Sequence, residues 1–178
     1  MTIHHPPHEA DVGTRRPHDR PGRPYAVPVP QTALLDGALP RIDWSDAFAV
    51  TGPIGNRIDP QVWADAIFHN APLWVRALLA VRQAIVISVG IDRGRRTTFA
   101  TRSRTDDEIL LGTDERHLSF RASVLSRTDG VVVSTIVQTH NRRGHLYFAV
   151  VRHFHPLIVH AVLGRAARQI SANHEGVL

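Results

Sequence analysis

The chain has 178 residues, 43% of them hydrophobic, which suits one domain with a sizeable core. Its 21 basic residues are all arginine and stand against 16 acids, a net charge of +5. With no cysteine, disulfides, thiol nucleophiles and Cys-ligated metals are excluded.

The first 44 residues carry five Arg and five acids, so the excess charge belongs to residues 45–178. Arginines there are dispersed apart from Arg93-Gly-Arg-Arg96 and Arg142-Arg143, which predicts a mildly basic surface and no nucleic-acid groove. No charged stretch followed by an apolar run opens the chain. The apolar run Ala77–Val89 is broken by Arg82 and Gln83 and is too short to span a bilayer. A soluble, cytoplasmic protein without membrane insertion is expected. Residues 1–40 hold His4, His5, His8 and a run of prolines without periodicity, so they are expected to form an unordered tail. A single domain is expected over 41–172, with a frayed end at 173–178.

Asp43 to Val50 reads as an opening strand with Trp44, Phe48 and Val50 on one parity. Asp59-Pro60 starts a helix, because Asp accepts from free amides and Pro suits the first helical position. Asn70-Ala-Pro72 repeats that punctuation before a second short helix bearing Leu73, Trp74, Ala77, Leu78, Val81 and Ile85, closed at Gly90. A weak strand is expected around Thr97–Thr101 and another over Glu108–Gly112.

The pattern is clearest from His117 to Leu125. Leu118, Phe120, Ala122 and Val124 alternate with His117, Ser119, Arg121 and Ser123. Thr128-Asp129-Gly130 turns the chain into a return strand, Val131 to Thr139. From His145 to about Ile170 the period is helical. Leu146, Val150, Phe154, Leu157 and Ala161 form an apolar stripe expected to face the core, widened by Tyr147, Val151 and Ile158. Pro156 falls inside this run and predicts a single kinked helix. The fold class is α+β: an antiparallel sheet curved around a long C-terminal helix, with two short helices after the first strand.

Leu110-Leu-Gly112, Asp114, Arg116-His-Leu118, Phe120-Arg121, Thr139-His-Asn141, Gly144, Tyr147-Phe148 and Phe154-His155 together resemble the DUF2867 family of uncharacterised bacterial proteins, over roughly 43–170. Ser119 stands where that family commonly has Asp, which removes an acid from the position. The layout is also similar to the helix-grip fold of START and Bet v 1-like (SRPBCC) domains, and that resemblance implies binding of hydrophobic small molecules. Some relatives are joined to a short-chain dehydrogenase-like NAD(P)-binding domain. No G-x-G-x-x-G loop follows a strand here, so no cofactor is assigned, although a separately encoded oxidoreductase is a candidate partner.

The candidate ligand-binding residues are Asp114, His117, Arg121, His140, Tyr147 and Trp74. Imidazole can transfer protons near neutral pH, and guanidinium can hold a carboxylate or enolate oxygen in two bonds. Trp63, Phe68 and Phe148 are further candidates for lining a cavity beneath the helix. His153, His155 and His160 lack the spacing and the nearby acid of a helical metal site, so no metal is assigned. The leading expectation is a pocket between sheet and C-terminal helix for a small hydrophobic or amphipathic molecule. A cofactor-free isomerase, cyclase or dehydratase, with His117 or His140 as base and Arg121 as oxyanion partner, is one alternative. A non-catalytic interaction module is the other.

Overall fold

The computed structural model describes residues 22–53, 55, 57–68 and 100–175. Its centre is a six-stranded antiparallel sheet in the order β1-β2-β6-β5-β4-β3. The strands are β1 (Tyr25–Ala26), β2 (Trp44–Thr51), β3 (Thr101–Arg104), β4 (Glu108–Asp114), β5 (Leu118–Arg127) and β6 (Gly130–Thr139). Strands β5 and β6 meet at a tight turn through Thr128 and Asp129, and Gly130 adopts φ 152° where a side chain would strike the Val50 carbonyl.

Period-two alternation assigns the two faces of the sheet. Phe48, Val133, Val124 and Ile109 are register neighbours across four strands, and all are buried in the main core. Two helices cover that face. Helix α1 (Pro60–Phe68) is capped by Asp59, whose carboxylate accepts from the Gln61 amide at 2.7 Å, and it buries Trp63, Ala64, Ala66 and Ile67. Helix α2 (Arg142–Glu175) starts earlier than the periodicity indicated and runs without interruption through Pro156. Its Val159, Val162, Leu163, Ala166, Ala167 and Ile170 join the core. The expected second short helix, with Trp74, lies outside the described residues, as does most of the strand expected at Thr97–Thr101; the polar stretch instead ends in β3.

Two expectations are corrected here. The stripe Leu146, Val150, Phe154 and Leu157 does not face the sheet; these side chains are 72%, 57%, 48% and 64% exposed. The inward positions are Tyr147, Phe148, Val151, His155 and Ile158, all half-buried. Both sides of this helix are apolar, so periodicity identifies a helix and leaves its rotation open. By length and composition alone α2 also passes as a helix long and apolar enough to cross a membrane, and 6% of its apolar window is buried in the structure.

The second correction concerns the proline-rich segment. Residues 22–40 are not an unordered tail, because they cross the sheet's other face as an arm. Leu35 and Leu39 bury against Leu110 and Ile136, while Tyr25 and Val27 pack on Ala47, Ala49 and Val132. Thr32 fastens the arm by donating to the buried Glu108 carboxylate at 2.9 Å, which Ser123 also engages. Prolines remove local periodicity without preventing tertiary burial. The domain therefore starts well before residue 41.

Candidate functional site

The five candidate residues that are described, Asp114, His117, Arg121, His140 and Tyr147, do not converge, and Trp74 lies outside the described residues. On the arm side of the sheet Asp114 pairs with Arg121 at 2.8 Å and with Arg102 at 2.7 Å. Arg121 is almost completely buried and also donates to the carbonyls of Thr113 and Phe120, so its guanidinium is committed to holding strands together. Partial burial raises the Asp114 pKa, but hydrogen bonds from Ser119 and Arg121 and the charges of Arg121 and Arg102 outweigh it and leave the pKa lowered. Ser119 in turn lies 2.9 Å from His140 Nε2. The carboxylate thus engages the serine and not the imidazole, so the third bond of a nucleophile relay, acid to histidine, is absent. His140 is exposed, and its amide donates to the His117 carbonyl.

His117 lies on the other face. Strand β5 begins one residue later, and the ring turns towards α2, edge-on to Tyr147 with centroids 5.5 Å apart and with Nε2 3.3 Å from Glu115. The alternation that paired His117 with Arg121 therefore does not extend to it. A base at His117 and an oxyanion partner at Arg121 would sit on opposite sides of a strand, which excludes that pairing on one substrate.

Several residues of the Thr139–Gly144 cluster are architectural. Asn141 caps α2 by accepting from the Gly144 amide at 2.9 Å, and it donates to the Arg116 carbonyl at 3.0 Å. A Cβ at Gly144 would overlap the His117 carbonyl, so only glycine lets α2 approach the start of β5 this closely. Here Asn141, and not His140, ends the turn.

A different group emerges between the sheet and the first half of α2. Asp46 of β2 points to the helix, with its Oδ1 3.3 Å from His155 Nε2. That is ion-pair distance, but the alignment does not make a hydrogen bond, and both Asp46 carboxylate oxygens are buried without a hydrogen-bond partner. Trp44 stacks edge-on against both Phe148 and His155, at 5.1 Å and 5.3 Å. Phe120, Trp44 and Asp46 from the sheet and Tyr147, Phe148, Val151 and His155 from the helix are all only half-buried. The interface is therefore sealed under Val159–Ile170 and open under Tyr147–Ile158. Sequence reasoning missed Asp46 and weighed His155 only as a metal ligand. The available signal was a lone acid on the buried parity of an otherwise apolar strand. Trp63 and Phe68 belong to the sealed core.

Two hollows open on the opposite side, along the arm. One of about 310 Å³ is bounded by Tyr25, Pro28, Pro30, Thr51, Arg127 and Asp129, and a broader one of about 780 Å³ by Val29, Gln31, Asp36, Pro40 and Ile136. Their polar groups face solvent, with Arg127 paired to Asp129 at 3.4 Å. The open layer under α2 is the better candidate, since it holds a buried carboxylate that accepts no hydrogen bond.

No curated protein and no solved structure matches the chain. A family described as a protein of unknown function, DUF2867, matches residues 38–162, from the end of the arm to the second half of α2. That span contains Asp46, Asp114, His117, Arg121, His140, Tyr147 and His155, and the chain belongs to this family.

Proposed function

We propose that this protein is a helix-grip-type binding domain that takes a small amphipathic molecule between its sheet and the first half of α2. Supporting the fold reading are the strand, α1, antiparallel strands and long helix in that order, with the helix laid across the sheet. The observation that carries the binding reading is the Asp46 carboxylate. A buried carboxylate without a hydrogen bond costs several kcal/mol, roughly the scale of a fold's net stability, so such groups persist where a partner completes them. The partner that fits offers a hydroxyl or amine to Asp46 and His155 and rests its apolar body on Trp44, Phe120 and Phe148. Pockets of this kind are apolar with a few polar groups that fix orientation.

The test is native mass spectrometry on full-length protein purified without detergent, comparing wild type with Asp46→Asn. A retained mass that disappears on denaturation, and is reduced in the variant, is the expected result. Added ligand at a hundredfold excess over its Kd should then stabilise the wild type by about 2.7 kcal/mol. Retention that is equal in both proteins would remove Asp46 from the site, and a wild type that carries nothing would count against tight binding.

A second reading follows from the 3.3 Å Asp46–His155 separation, from which a small turn of the ring would let the carboxylate orient the imidazole as a general base. On that reading His155, and not His117 or His140, abstracts the proton in an isomerase- or dehydratase-type reaction.

A further inference from the structure

Among the described residues, the outward side of α2 has no role in the fold or in the proposed pocket. At 3.6 residues per turn, Leu146, Val150, Phe154 and Leu157 fall within roughly 80° of arc and extend about 16 Å along the axis. Each is about half exposed or more. An exposed apolar row of this kind marks a contact surface more often than chance.

The charges around the row identify what it contacts. Arg142 and Arg143 lie on the same side at the amino end of α2, where the helix dipole is also positive, and both are exposed. His153 is exposed beside the row, and no acid occurs between Asp129 and Glu175; Arg152, also exposed, falls about 160° from the row's centre. The row combines exposed apolar residues with two arginines and the positive end of the helix dipole at its amino end, with no acid in α2 before Glu175, the composition of a helix that lies in the headgroup region of an anionic bilayer. The inward side of the same helix packs on the core through Val159, Leu163 and Ile170, so the row can meet a membrane while the helix keeps its place on the sheet.

We infer that the exposed row Leu146–Val150–Phe154–Leu157, with Arg142 and Arg143, docks the protein onto an anionic membrane surface with α2 parallel to it. The membrane then lies on the far side of α2 from the proposed pocket, and the inference does not depend on that pocket being occupied.

The test is co-sedimentation of the full chain with phosphatidylglycerol–phosphatidylcholine vesicles and with phosphatidylcholine alone, for wild type, Leu146→Glu and Leu157→Glu. The expected result is binding to the anionic vesicles that weakens by roughly tenfold or more in each variant. It should also fall as salt shortens the screening length below about 10 Å. Three results would overturn the inference. One is absence of binding to the anionic vesicles. Another is a wild-type dimer, by size-exclusion chromatography, that either variant turns into a monomer, which would give the row to a second copy. The third is a clear drop in the melting temperature of both variants in solution, which would mean that the chain itself covers the row.

Discussion

Asp43 accepts from Nε and Nη2 of Arg41 at 2.6 Å and 3.0 Å and from the amide and hydroxyl of Thr139 at 2.8 Å and 2.7 Å. The carboxylate so ties the end of the arm to the last residue of β6, just before α2 begins. The Arg41 and then the Thr139 bonds hold its pKa well below the ordinary carboxylate range. Asp59 is lowered by the Gln61 amide and then by Arg104, and Asp114 by Ser119 and the arginines beside it. A carboxyl whose pKa is depressed on folding contributes stability above its unfolded pKa, near 4, and loses that contribution as pH falls through the folded value. Thermal melts should therefore be flat from about pH 7 to 5 and decline below about pH 4. Asp43→Asn should lower the plateau and flatten the acid slope. A variant with the wild-type slope would show that the pairing adds nothing beyond its hydrogen bonds. Single residues were partly legible: Asp59 as a helix cap was visible in Asp-Pro, whereas His117 was not, because its orientation depends on β5 starting one residue later.

At the scale of elements, α2 continues as one helix past Pro156 but loses a hydrogen bond there. Pro156 lacks an amide proton, so the Arg152 carbonyl loses its partner four residues on. Replacing Pro156 with Ala restores that donor and should stabilise the protein by about 1–3 kcal/mol, read as a higher urea midpoint at unchanged slope. No gain would mean that the helix has relaxed around the proline. The hairpin β5–β6 was the most legible part of the fold, since period-two alternation and Thr128-Asp129-Gly130 act within a few residues of one another. The rotation of α2 was illegible for the opposite reason. Its outward Leu, Val, Phe and Leu are more hydrophobic than the Tyr and His that it turns inward, so a rule sending the greasier side to the core chooses wrongly.

The whole molecule has three layers: arm, sheet and helices. The arm's leucines contribute roughly 1.5–3 kcal/mol apiece through burial, and their partners Leu110 and Ile136 would meet water without them. Removal of residues 1–40 should consequently lower the melting temperature and raise binding of a hydrophobic dye. An unchanged melt would show that the arm rests on the sheet without stabilising it. This layer escaped sequence reading because its order comes from distant contacts, Thr32 with Glu108 above all, and not from any local period. The site was half legible for a related cause. Residue types in β5 suggested chemistry, but Asp114 and Arg121 satisfy one another, and the buried carboxylate that accepts no hydrogen bond is Asp46 on β2.

The sheet's two borders bear on how the protein meets others. At one side β1 is only two residues long, and at the other all four residues of β3 are exposed, with Arg102 and Arg104 each bound to a carboxylate. Stubby or charged margins are poor templates for another strand, which protects the molecule from fibril-like stacking and from partners that bind by extending a sheet. Among the described residues, four of the six large hydrophobic side chains that stand exposed, Leu146, Val150, Phe154 and Leu157, are on α2 and not on these margins.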